Sequence, residues 1–257
     1  MRTPLVRRRL ASYLAVAAAA LAGAVALATP ATAADSGRYA PAIHPVTGAG
    51  LHTDAVGPNN TNGYNWGGYA ATGSGFTSVS ASWKTPAATC TSRNDLYAPW
   101  VGIDGYGSRT VEQTGVATDC SSGSPVNEPW YEMYPSAPVY LSTSSYPVAS
   151  GDNISASVVA SGTSFKLTLS DTTKGWTYTT TKSLARAKKS SAEVIIESPP
   201  GAYPNFGTLN FTSCMINGQS LSSASPTALD PSSGGTTEAH ASAISGGTAF
   251  SMTYEHE

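Results

Sequence analysis

Short runs of alternating apolar and polar residues, separated by Gly, Ser, Pro and Asp turns, recur along this chain, and no segment carries a helical period. They occupy residues 76–83, 97–103, 130–134, 153–159, 165–170, 176–181, 192–197, 208–216 and 249–254. A period of two marks a strand with one buried face. Many such strands at short spacing predict an all-β fold, an antiparallel sandwich or barrel in one domain over residues 62–257. A domain of that length can bury a substantial core without a metal or several disulfides.

The N-terminus reads as an export signal over residues 1–33. Arg2, Arg7, Arg8 and Arg9 form a basic region, Leu14 to Ala28 an apolar one, and Ala31-Thr32-Ala33 an A-x-A cleavage site. The apolar run falls short of the roughly 20 residues needed to span a bilayer. Residues 34–61, rich in Gly, Pro, Asn and small side chains, read as a flexible leader or pro-segment. The chain is thus expected to be secreted and extracellular, with no membrane association once the signal is removed.

Loss of the signal removes four of 14 basic residues and no acidic ones, leaving 10 against 16, a net charge of −6. Beyond the signal no Lys/Arg cluster exceeds Lys188-Lys189, which argues against a nucleic-acid partner. Charged residues make up 12% of the chain, about half the usual share. With few ion pairs to lose as carboxylates protonate, the chain is expected to tolerate acid.

Three cysteines leave at least one unpaired in a monomer, the expected state. Cys90 and Cys120 bracket the first motif described below, and a bridge there would staple its loop; Cys214 lies in an expected strand and reads as a buried thiol. No C-x-x-C or H-x-x-x-H spacing suggests zinc, and no metal or cofactor is expected. His44, His52, His240 and His256 all lie outside the motif-rich region, which disfavours a His-based triad.

Two motifs carry the chemistry. Trp100–Gly105 reads W-V-G-I-D-G and is followed by Gln113-Thr114-Gly115; residues 192–197 read A-E-V-I-I-E. Alternation puts Trp100, Gly102 and Asp104 on one face, and Trp130, Glu132 and Tyr134 on another, with a carboxylate between two rings. Glu193, Ile195 and Glu197 point opposite to Ala192, Val194 and Ile196. Burying a carboxylate beside aromatic rings is costly, which marks Glu132 as a functional candidate.

Together with Asn65-Trp66-Gly67-Gly68, W-Y-E-M-Y-P at 130–135, Gly151-Asp152 and N-F-G-T at 205–208, these motifs resemble the glutamic peptidases, or eqolisins, and specifically their bacterial branch. The resemblance implies a concanavalin A/lectin-like jelly roll of two curved antiparallel sheets. It implies a catalytic pair at Gln113 and Glu197, with Trp100, Asp104, Trp130 and Glu132 lining a substrate groove on the concave face. Glu193 matches the motif's first, non-catalytic Glu. Two positions depart from the family pattern: Glu112 stands where many relatives have an apolar residue, and Ala117 where fungal members often carry an Asp.

Peptide hydrolysis needs a base for water, a donor for the oxyanion and an acid for the leaving nitrogen. Glu197 could serve as base and then acid, and Gln113 as a donor that never titrates. An acid endopeptidase acting on proteins or peptides is the reading that follows. A glycoside hydrolase using Glu132 and Glu197 is the chief alternative, and a carbohydrate-binding module using Trp100 and Trp130 is another.

Overall fold

The computed structural model describes residues 55–56 and 60–256. The expected signal peptide and most of the expected leader lie outside the described residues. In chain order the strands are β1 (Ala55–Val56), β2 (Asn60–Asn62), β3 (Trp66–Thr72), β4 (Ser78–Lys84), β5 (Leu96–Ile103), β6 (Val111–Asp119), β7 (Val126–Tyr134), β8 (Val139–Tyr140), β9 (Asn153–Ser161), β10 (Ser164–Asp171), β11 (Trp176–Ser183), β12 (Ser191–Glu197), β13 (Thr208–Ile216), β14 (Gln219–Ser220), β15 (Thr227–Asp230), β16 (Ser232–Ser233), β17 (Thr236–Thr237), β18 (Ala239–Ala241) and β19 (Phe250–Tyr254). One short 3-10 turn, Leu221–Ala224, is the sole helical element among the described residues.

The strands form two large sheets. The first runs β1-β2-β15-β3-β12-β5-β6-β7-β8, and the second β11-β10-β9-β4-β13-β19-β18 with β14 on the flank of β13. Every pairing within them is antiparallel except β2 with β15. This is the sandwich, one of the two all-β architectures that the spacing predicts, and it has the two antiparallel sheets that the resemblance implies. β1 and all but the last residue of β2, at the edge of the first sheet, fall inside the range expected as leader.

The two sheets face each other through the alternating positions. Ile154, Ala156 and Val158 of β9 and Phe165, Leu167 and Leu169 of β10 point inward, meeting Val101 and Ile103 of β5, Val116 of β6 and Val194 and Ile196 of β12. Each such large apolar side chain, buried, contributes roughly 1.5–3 kcal/mol. The outward positions of β9 and β10 are mainly Ser and Thr, so the second sheet shows the half-buried pattern. The first sheet behaves differently: all of β5 and all of β12 are buried, on both faces. A second apolar cluster, including Trp66, Ala98, Trp100, Trp130 and Ile195, covers its outer face.

Cys90 and Cys120 form a disulfide, tying the segment before β5 to the end of β6, while Cys214 is a free, buried thiol pushed up to about 12 by that burial. Both observations agree with the sequence reading.

Candidate active site

Strand pairing settles which polar residues share the outer face of the first sheet. β12 pairs with β5 so that Glu193 opposes Gly102 and Ile195 opposes Trp100. β5 pairs with β6 so that Gly102 opposes Gln113 and Trp100 opposes Gly115, and β6 pairs with β7 so that Gln113 opposes Glu132. One row across the sheet is therefore Glu193–Gly102–Gln113–Glu132, and the next is Ile195–Trp100–Gly115–Trp130. Glu197 lies one step further along, opposite Ala98 and Trp66. Because Trp100, Trp130 and Ile195 belong to the outer cluster, Gln113, Glu132, Glu193 and Glu197 face the same way.

Trp100 joins the Gln113 row to Glu197. Its six-membered ring lies over Gly102, where a Cβ would meet Trp100 Cζ3 at 2.8 Å and Gln113 Cβ at 3.2 Å. Its indole Nε1 donates to Glu197 Oε2 at 3.2 Å. Gly115 also clears its path, since a Cβ there would sit 2.2 Å from the Pro99 carbonyl and 2.7 Å from Trp100 Cβ. The Trp66 ring meets Trp100 edge-on at 4.9 Å.

Both Glu197 oxygens are engaged, with Asn65 Nδ2 donating to Oε1 at 3.1 Å. Gln113 Nε2 donates to Glu132 Oε2 at 2.7 Å, while Gln113 Oε1 and Glu132 Oε1 have no protein partner. Gln113 is thus held in one amide orientation, with its carbonyl and one amide hydrogen left for other partners.

The electrostatics follow from burial. Glu197 is raised well above the ordinary Glu value, chiefly by burial and further by the charge of Glu132, against the indole and amide groups around it. Burial likewise pushes Glu132 up to about 8, with the Gln113 donor opposing, and raises Glu193 well above its usual range. An ordinary glutamate, with a value of about 4.3, would be partly ionised in acid. Complete burial favours the neutral form instead.

Of the six residues singled out from sequence, five converge on this face: Gln113, Glu197, Trp100, Trp130 and Glu132. Asp104 does not share it as the alternation suggested. β5 ends at Ile103, and Asp104 takes a left-handed conformation (φ 64°) that breaks the period of two. Its buried carboxylate accepts from the backbone N–H groups of Lys188, Lys189 and Ser190 and from the Ser190 and Thr110 hydroxyls. Those donors make Asp104 an anchor for the segment leading into β12. Glu112, by contrast, opposes Ile103 and Met133 and points into the core between the sheets, so its carboxyl has no part in this face.

Sequence reasoning gave Asn65 no role beyond its motif, although it contacts Glu197 directly. Its place beside Trp66 in N-W-G-G was the available signal.

Residues 64–254 match the profile of the Peptidase A4 family. Scytalidopepsin B of Scytalidium lignicola is 36% identical over 138 residues, which cover 52% of this chain and 51% of that protein, so the match spans about half of the relative's length. The crystal structure of scytalido-glutamic peptidase with a transition state analog inhibitor superposes with a TM-score of 0.65 at 28% identity, covering 76% of this chain and 100% of the other. The structure of SCP-B, a member of the eqolisin family in complex with the tripeptide Ala-Ile-His, gives 0.60 at 27% identity over the same shares. With the profile spanning the sandwich from the start of β3 to the end of β19, the chain belongs to the Peptidase A4 family of glutamic peptidases, the eqolisins.

Proposed function

We propose that this chain is an exported endopeptidase of the family's bacterial type, acting as a monomer in acid through a Gln113/Glu197 dyad. The observation that carries the reading is the shared outer face of the first sheet. There a non-titrating amide and a carboxyl, 84 positions apart in sequence, lie on one face, with Trp100, which donates to Glu197, in the row between theirs. The basic and then apolar N-terminus supports export.

In the proposed reaction Glu197, ionised, takes a proton from water as the water oxygen attacks the scissile carbonyl carbon. The oxyanion accepts from the free amide hydrogen of Gln113, whose carbonyl orients the water. The C–N bond then breaks as Glu197 returns its proton to the leaving nitrogen. One such oxyanion donor is typically worth about 2.7–4 kcal/mol. The ionised fraction of Glu197 limits the rate at low pH, because its folded-state value is raised. Burial pushes Glu132 up to about 8, so in acid it is neutral and sets no like charge against Glu197.

Purified protein incubated with a denatured protein substrate across pH 3–8 tests this. Gln113→Ala and Glu197→Gln are expected to lose nearly all turnover, and Glu132→Gln to retain most of it in acid. An active Gln113→Ala variant would sink the dyad. Polysaccharide cleavage abolished by Glu132→Gln would favour glycoside hydrolysis instead.

A further inference from the structure

The residue that holds Glu197 is itself held. Asn65 closes a tight turn in which Trp66 N–H donates to the Gly63 carbonyl at 2.9 Å, and Tyr64 adopts φ 57°. Gly63 is obligatory there, because a Cβ would lie 1.9 Å from the Trp66 carbonyl oxygen. The Asn65 carbonyl accepts twice: from Ser198 N–H at 3.0 Å and from the Tyr203 hydroxyl at 2.7 Å. Ser198 and Tyr203 bound the segment immediately after Glu197, and that segment closes on itself through Ser198 Oγ, which accepts from Ala202 N–H at 2.8 Å. Tyr203 is fully buried and packs against Tyr97 and Phe206. The chain leaving Glu197 thus folds back and clamps the backbone of the residue whose side chain donates to Glu197.

We propose that Asn65, locked by Tyr203 and Ser198, is a positioning residue that fixes the Glu197 carboxylate and sets the pH at which it works as a base. This rests on the function proposed above. An amide N–H can only donate to Glu197 Oε1, so it favours the ionised carboxylate in a site whose burial disfavours it. Of the other groups facing Glu197, the Trp66 and Trp100 indoles also favour ionisation, and the like charge of Glu132 opposes it. Glu132 from β7 brings a like charge, Tyr140 from β8 and Tyr203 are phenols raised by their surroundings, Glu238 stands behind Tyr203, and Trp66 and Trp100 do not titrate. Asn65 and Trp100 donate to this carboxylate at 3.1 and 3.2 Å, and the Trp66 indole also favours its ionised form.

The test reads Glu197 in two ways: the acid limb of kcat/KM against pH, and a 13C-carboxyl NMR titration with Glu197→Gln to assign its resonance. Asn65→Ala is expected to move both midpoints upward by about one to two pH units, the worth of one hydrogen bond to a charged group. At the acid end this reads as roughly a 10- to 100-fold loss in kcat/KM, recovered as pH rises. Tyr203→Phe should give a smaller upward shift, and the double variant should shift no further than Asn65→Ala alone, since Tyr203 acts through Asn65. Unmoved midpoints in Asn65→Ala beside a lowered Tm would overturn the proposal and leave Asn65 structural. Additive shifts would overturn the clamp. If Glu197→Gln stays active, the proposed function falls and this inference with it; an NMR shift without an activity shift would refute the base role while keeping the contact.

Discussion

Glu112→Gln should stabilise this protein at neutral pH and leave it almost unchanged in acid. Glu112 is fully buried between the sheets, opposite Ile103 and Met133. Burial, with the neighbouring Asp104 charge adding to it, pushes the group from 4.5 up to about 9. A carboxyl raised in the folded state binds more protons there than in the unfolded chain. Stability is therefore complete below the unfolded value near 4.5 and is lost progressively as pH rises toward 9. By pH 7 the deficit is about 2.5 pH units at 1.36 kcal/mol each, on the order of 3 kcal/mol. Gln has the same shape and never ionises, so the variant escapes that loss. For a domain of this size the gain at pH 7 corresponds to roughly 6–12 °C in Tm. At pH 3.5 both side chains are neutral, and the two proteins should agree to within about 1 kcal/mol. Denaturant unfolding across pH 3.5–7.5 measures the difference directly. Parallel stability curves for wild type and variant would show that Glu112 does not retain its proton on folding.

Three further perturbations address the site and its frame. Gly102→Ala puts a methyl group 2.8 Å from Trp100 Cζ3 and 3.2 Å from Gln113 Cβ; kcat should fall by up to roughly 100-fold with circular dichroism intact, and a wild-type kcat would deny Trp100 its bridging place. Asp104→Asn turns an NH₂ toward a site lined by N–H donors, so unfolding should show a loss of about 3 kcal/mol with KM unchanged; a large KM change without loss of stability would restore the groove role implied by the resemblance. Replacing Cys90 and Cys120 together by Ser opens a link between residues 30 apart in sequence, and should lower thermal stability by about 3–4 kcal/mol on the chain-entropy account.

The strands were legible because alternation is local: the Ser/Thr and apolar positions of β9 and β10 appear in the sequence as they lie in the sandwich. Parity also placed Glu193 and Glu197 on the face away from Val194 and Ile196. It failed at Asp104, where one left-handed residue ends the strand, and parity has no meaning beyond such a residue. The Asn65–Glu197 contact was illegible for another reason. It joins residues 132 apart, through a turn and a returning segment whose meeting depends on β3 pairing with β12. Nothing local in N-W-G-G specifies that partner.

Burial was the quantity that sequence could not supply, and it links the site to the working pH. A-E-V-I-I-E reads equally well as an edge strand with two solvated carboxylates, yet β12 lies between β3 and β5 and has no solvent-facing side. Glu112, Glu132, Glu193 and Glu197 are all buried on three strands of one sheet, β6, β7 and β12, and each is raised by that burial. Four buried carboxylates in one sheet would repel and resist desolvation at neutral pH; four neutral carboxyls can be accommodated. The sparse charge of the chain and these raised carboxyls act in the same direction, because a carboxyl raised on folding contributes its full stability only in acid. The placement that draws Glu132 and Glu197 into one site therefore also ties the stability of the fold to the acid range in which the proposed chemistry operates.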